Sequence, residues 1–285
     1  MPCPLCDDTG WKPSTGSHGA PGEGGRVTRC DCWKQNVADQ RLGDARIPKR
    51  YQHCSIANFA AYNESLERAA AQARRLADAF PVVTKGVFLE GQPGVGKTHL
   101  AVAVLKQIIQ ATGARGVFYD TRDLLRVIRS TYDPSIRTTE IEVLNPVMRA
   151  DVLVLDDLGA EKTSEWVEET MNLIVNTRYN ERRLTLFTSN YPDIPDESEP
   201  NSLLFRIGFR MRSRLHEMCE FMTLDAADYR ERPENAGAED LMAMWKLRKK
   251  TLPSPRGGRQ ARAQLREPVR DGRGDLKWPG GRAGS

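Results

Sequence analysis

Along this 285-residue chain, short continuous apolar runs alternate with longer segments of helical apolar spacing. Five runs have the length of buried strands: residues 86–90, 116–119, 152–155, 184–188 and 220–224. The run Val152-Leu153-Val154-Leu155 is the clearest, because four consecutive aliphatic side chains demand burial on both faces of a sheet. Helical spacing occupies residues 64–79, 99–110, 122–130, 165–179, 202–218 and 239–250. Asn63, Thr121 and Ser164 stand where N-caps are wanted, and Pro81 stops the first of these helices. Strands alternating with helices predict an α/β domain of ordinary size with smaller appendages.

The ends of the chain do not share that pattern. Residues 1–36 are too few and too poor in aliphatic side chains to fold around a core of their own. They do contain two close cysteine pairs, Cys3-Pro4-Leu5-Cys6 and Cys30-Asp31-Cys32. In a reducing compartment such pairs read as a tetrahedral thiolate zinc site, and a metal supplies the stability that a core cannot. Trp11 and Trp33 are the segment's two large aromatic side chains, suited either to lie over the site or to stack on bases. Residues 37–60 read as a linker, 61–231 as the α/β domain and 232–285 as a basic tail expected to be disordered. The tail also explains the net charge of +4. Its stretch 246–282 carries twelve Lys and Arg against three acidic residues, leaving 30 basic and 35 acidic residues elsewhere. The body is mildly acidic and the tail suits phosphate backbones without sequence preference. No run of eighteen apolar residues and no signal-peptide pattern occurs, so a cytoplasmic protein without membrane partners is expected.

Chemistry concentrates where predicted strands end. Gly91-Gln92-Pro93-Gly94-Val95-Gly96-Lys97-Thr98 follows the first strand and precedes a helix. In that context two glycines four residues apart, then Lys and Thr, turn backbone N–H groups toward phosphate oxygens. Lys97 would reach the β- and γ-phosphates, and Thr98 a magnesium ion. At the end of the third strand stand Asp156 and Asp157. Carboxylates there are costly unless they meet a cation, so Asp156 is assigned to the magnesium shell and Asp157 to the attacking water. Asp157 is one methylene shorter than the glutamate often found in that role, so slow hydrolysis or help from Glu161 is expected. Asn190, just past the fourth strand, is a candidate sensor of the γ-phosphate or a turn asparagine. The helix 202–218 holds Arg206, Arg210, Arg212 and Arg214. Arg210 and Arg214 are read as sharing a face, as are Arg206 and Arg210, available for surface pairing or for a neighbour's nucleotide site.

These residues together resemble the DnaC/IstB type of AAA+ ATPase, the family of bacterial helicase loaders and transposition helpers. The resemblance runs from about residue 47 to 230. It rests on Ile47-Pro48-Lys49-Arg50-Tyr51, Asn58-Phe59, the phosphate loop followed by His99-Leu100-Ala101, and Asp156-Asp157-Leu158-Gly159. Further matches are Thr188-Ser189-Asn190, Arg206-Ile207-Gly208, Arg210, Ser213-Arg214-Leu215 and Asp228-Tyr229-Arg230. It implies a sheet of five parallel strands with ATP at subunit interfaces of a homo-oligomer, and it places His99 with the nucleotide-binding loop. Arg214 takes the arginine-finger role and Arg210 an accessory one. The implied partners are a replicative DNA helicase, gripped by the zinc head, and single-stranded DNA. A transposition helper sharing the same ATPase core is one alternative, and a non-catalytic zinc-dependent DNA adaptor is another.

Overall fold

A computed structural model describes residues 3–7, 9–13, 27–234 and 237–251; most of the expected basic tail, 252–285, lies outside the described residues. A short antiparallel hairpin, β1 (Trp11–Pro13) and β2 (Val27–Arg29), leads into α1 (Asp31–Asp44). The body runs α2 (Glu64–Ala79), β3 (Gly86–Gly91), α3 (Lys97–Thr112), β4 (Gly116–Asp120), α4 (Thr121–Ser130) and α5 (Glu140–Arg149). It continues with β5 (Val152–Asp156), α6 (Glu165–Asn180), β6 (Leu184–Ser189), α7 (Leu203–Met218), β7 (Cys219–Leu224) and α8 (Ala238–Thr251).

The five long strands form one parallel sheet in the order β4-β5-β6-β3-β7. Parallel neighbours require crossovers, which put helices on both faces. Successive strand residues therefore feed two cores. Val87, Leu89, Val152, Val154 and Leu186 pack with α2 and α3, whereas Phe88, Leu153, Leu155 and Phe187 pack with α4 to α7. This period of two is why those strands read as unbroken apolar runs.

Several local outcomes differ from the sequence pattern. Asp120, not Thr121, caps α4: its carboxylate accepts from the Arg122 and Asp123 amides at 2.9 and 3.1 Å. Thr121 is the first helical residue, and its hydroxyl donates to the Asp156 carbonyl at 2.8 Å. Helix α5 escaped the pattern because Pro146 interrupts it, yet a Thr139/Glu142 capping box starts it. Helix α7 breaks at Gly208, whose φ of 76° and ψ of 162° leave the helical region. Arg206 and Arg210 therefore do not share a helical face; Arg206 stacks on Tyr191, whereas Arg210 is exposed beyond the break.

Described residues on either side of the domain pack onto it. Helix α1 runs through the boundary placed at residue 36, and buried Ala38 and half-buried Leu42 fix it on the body. Cys54, Ile56 and Phe59 join the core beside α3. Helix α8 docks through buried Leu241, while Trp245 donates to Asp225 at 3.1 Å and Lys249 pairs with the same carboxylate at 2.9 Å. Among the described residues no helix is long and apolar enough to cross a membrane.

Candidate nucleotide site and cysteine cluster

The glycine loop joins β3 to α3 at the carboxyl edge of the sheet. Helix α3 begins after Gly96 without a side-chain cap or an acidic residue in its first turn, so its amides and positive end stay available to an anion. At Gly94 only glycine fits: φ is 79°, and a β-carbon would stand 1.7 Å from an Asp228 carboxylate oxygen. The Tyr229 amide donates to the Gly94 carbonyl at 3.0 Å, tying the segment after β7 to the loop. Lys97 is buried, and its Nζ donates to the carbonyls of Gly91 and Gln92 at 2.7 and 2.8 Å and to Asn190 Oδ1 at 2.7 Å. Burial pulls its pKa down to about 8, against the opposing pull of Asp157 and Asp156.

The ends of β5 and β6 supply the other half. Thr98 donates to Asp156 at 2.9 Å, and Thr188 donates to the same carboxylate at 2.6 Å. Burial nevertheless pushes the Asp156 carboxyl up to about 6, because two hydroxyl donors do not replace water around a charge. Asp157 adopts φ 59°, a left-handed conformation that a non-glycine residue holds only when its surroundings fix it. The Thr188 hydroxyl fixes it by accepting from the Asp157 amide at 2.9 Å, and the Asn190 amide donates to Asp157 Oδ1. Burial raises the Asp157 carboxyl, opposed by the charge of Arg122.

Lys97, Thr98, Asp156, Asp157 and Asn190 are thus brought together in one connected cluster, joined through Thr188. His99 follows the loop, with its ring Nε2 at 2.9 Å from the Ser55 carbonyl and an edge contact to Phe59. Glu161 lines a separate cavity of about 300 Å³ between α6 and α7. Arg214 makes a 3.3 Å contact to the Arg210 carbonyl, and neither side chain has a contact with the cluster among the described residues.

Three participants were not legible as such. Thr188 orients both aspartates. Arg230 lies near enough to Lys97 for its charge to depress the lysine further. Asp193 receives Arg212 bidentately at 2.5 and 3.0 Å and His216 at 2.9 Å, while its amide donates to the buried Glu90 at 2.7 Å. The site edge is thereby clamped to α7. The Asp-Tyr-Arg match was the signal for Arg230 and the Thr188-Ser189-Asn190 match the signal for Thr188, whereas for Asp193 the sequence offers none.

The four paired cysteines also converge. Cys3 and Cys30 sulfurs lie 3.8 Å apart, Cys6 and Cys32 sulfurs 3.2 Å apart, and all four are within 4.8 Å of one another. A tetrahedral site with Zn–S bonds of about 2.3 Å has sulfur edges of roughly 3.8 Å, so the donor set fits a zinc ion. Trp11 and Trp33 clamp the Arg29 guanidinium, at 4.7 and 4.2 Å from their ring centres. Their faces toward Arg29 are therefore occupied.

Fold and site together define an ATP-binding protein of the AAA+ P-loop class. The chain belongs to the IstB-like ATP binding protein family, whose model matches residues 46–194, more than half of its length. It is 28% identical over 171 residues to the replicative helicase loader DnaC of Buchnera aphidicola subsp. Baizongia pistaciae, a match covering 59% of this chain and 69% of that protein. Against the replicative helicase loader DnaC of Escherichia coli K12 the identity is 28% over 140 residues, covering 49% of this chain and 56% of the relative. Among solved structures, a DnaC helicase loader superposes with a TM-score of 0.56 at 36% identity, covering 62% of this chain and 99% of that one. The replication initiator DnaA bound to AMPPCP and single-stranded DNA shares the fold, at 19% identity and a TM-score of 0.53.

Proposed function

We propose that this protein hydrolyses ATP in order to load a replicative DNA helicase onto single-stranded DNA. The observation that carries the reading is the joined cluster of Lys97, Thr98, Asp156, Asp157 and Asn190 at the open N-terminus of α3. The names of the DnaC relatives support the loader role, and the cysteine head supplies a module separate from the ATPase for gripping a partner.

In this reading the loop amides and Lys97 bind the phosphates. Thr98 and Asp156 would hold magnesium, which would supply neutralisation of phosphate charge. Asp157, its carboxyl raised by burial, accepts a proton from water better than an exposed aspartate does. Asn190 bridges Lys97 and Asp157, and so positions that water relative to the γ-phosphate. Arg210 and Arg214 serve a neighbouring copy, with Arg214 as the finger and Arg210 assisting. Cys3, Cys6, Cys30 and Cys32 would hold zinc.

The test compares wild type with Arg214→Ala. Nucleotide affinity should persist, while turnover should lose its rise with protein concentration; unchanged turnover at saturating protein refutes the finger. Capture of the cell's replicative helicase with an ATP analogue tests the loader role directly. The family match also admits a transposition helper of the IstB kind. Stimulation of a transposase, with no helicase binding, would establish that alternative.

A further inference from the structure

The end of the sheet opposite the nucleotide holds a cavity of about 290 Å³ between the C-terminal ends of α1 and α5 and the start of β4. Four arginines, Arg41, Arg46, Arg115 and Arg149, line it, with Asp44 as the one acidic lining residue. The concentration is not a product of composition, since outside residues 246–282 the chain has 30 basic and 35 acidic residues.

The charges there are poorly neutralised. Arg115 pairs with Asp151 at 3.2 Å, and Arg46 lies over the Tyr119 ring at 5.1 Å. Among the described residues Arg41 and Arg149 have no ion pair. A carbonyl-bearing helix end would normally repel an anion, but Arg178 answers that of α5 from below. This fully buried guanidinium donates to the Val147 and Ala150 carbonyls at 2.9 Å each and to the Leu184 carbonyl at 2.6 Å, with no ion pair among the described residues. Burial pulls its pKa down only to about 9, so it remains charged at neutral pH beneath the cavity floor.

We propose that this cavity is a phosphodiester-binding site for single-stranded DNA, physically separate from the ATP site. The assignment rests on the proposed action on single strands and gives that action a location. Guanidinium forks match phosphate oxygens two at a time, and the cavity is lined by arginine with no lysine. Positive charge continues beyond the cavity. Exposed Lys49 and Arg50 follow Arg46 closely in sequence, whereas Arg183, which donates to the Arg149 carbonyl at 2.7 Å, is itself paired with Glu181 and Asp151. A polyanion with repeating charge uses such a track, whereas a single carboxylate does not.

The experiment measures binding of a fluorescein-labelled oligo(dT) to the full chain by anisotropy across a salt series, with an ATP analogue present. Arg41→Glu with Arg149→Glu should weaken binding about tenfold and make the slope of log K against log salt shallower by about 1.4, as for two lost phosphate contacts. Asp44→Asn should tighten it. Fluorescent ATP-analogue affinity should be unchanged in both, which shows that the variants are folded. Strand binding equal to wild type in both variants overturns the site while leaving the loader reading intact. Loss of polyglutamate binding with oligo(dT) binding retained also overturns it, in favour of an acidic protein partner. A wild-type chain that does not bind the strand overturns both readings.

Discussion

Asp156→Asn separates what the site costs from what it does. With the Asp156 carboxyl pushed by burial from 3.8 to about 6, keeping it ionised at pH 7.5 costs the folded state roughly 3 kcal/mol. Asparagine removes that charge but retains the donors and acceptors. Its Oδ1 still accepts from Thr188 and Thr98, and its amide faces the Thr98 oxygen where Oδ2 stood at 3.2 Å. Lys97 loses one attracting carboxylate, which returns part of the gain. The variant should therefore be about 2–3 kcal/mol more stable than wild type at pH 7.5 in the presence of a chelator. The sign follows from protonation. Well below the unfolded pKa of 3.8 the wild-type carboxyl is neutral in both folded and unfolded chains, so the difference vanishes there; it grows as pH rises from about 4 to about 6 and stays constant above that. Urea unfolding at several pH values measures it. Magnesium and ATP should then stabilise wild type but not the variant, and hydrolysis should be lost. A variant less stable than wild type at pH 7.5, or a difference independent of pH, would refute the assignment of burial as the dominant cost.

Lys97, at about 8 in the free protein, should be driven back up by bound phosphate, so ATP binding should take up about half a proton at pH 8 and close to one near pH 9; calorimetry in buffers of different ionisation enthalpy reads this, and buffer-independent heats contradict it. Arg230→Ala should weaken ATP affinity by about tenfold without loss of stability, because its charge lies beside Lys97 and its side chain is exposed. Arg178→Met should cost at least about 3 kcal/mol in urea unfolding, since it strands the buried Val147, Ala150 and Leu184 carbonyls together. Elemental analysis should find about one zinc per chain, lost in Cys6→Ser with Cys32→Ser; no zinc, with four freely reacting thiols, ends the metal assignment.

The strands and most helices were legible because their burial is set by chain-local patterns. Four adjacent aliphatics at 152–155 admit one solution, and Asn63 and Ser164 bond the amides at 66 and 167 as their positions suggest. Thr121 was misplaced by one residue because Asp120 is an equally good cap, and the threonine hydroxyl finds a better acceptor on β5. Helix α1 was hidden for a different reason. Its polar composition gives little amphipathic contrast, and only Ala38 on it is buried. The kink at Gly208 needed a backbone angle that the letters Ile-Gly-Phe permit but do not require.

The site divides along the same line. Lys97, Thr98 and the two aspartates were recoverable because the phosphate loop fixes their chemistry by spacing within one strand–loop–helix unit or at one strand end. The role of Thr188 was not: the Thr188-Ser189-Asn190 match marks the position, but a threonine at the end of an apolar strand is ordinary and says nothing of which groups it bonds. Its role arises when β5 and β6 pair and bring its single hydroxyl between the Asp156 carboxylate and the Asp157 amide. Asp193 is the same case at longer range: only the fold brings the β6 loop, Glu90 and the Arg212 and His216 side chains of α7 to one carboxylate and its amide. That junction joins the edge of the ATP site to the helix bearing Arg210 and Arg214. A change at Asn190 on nucleotide binding would therefore have a short, charged route, three residues along the loop, to the helix that carries Arg210 and Arg214.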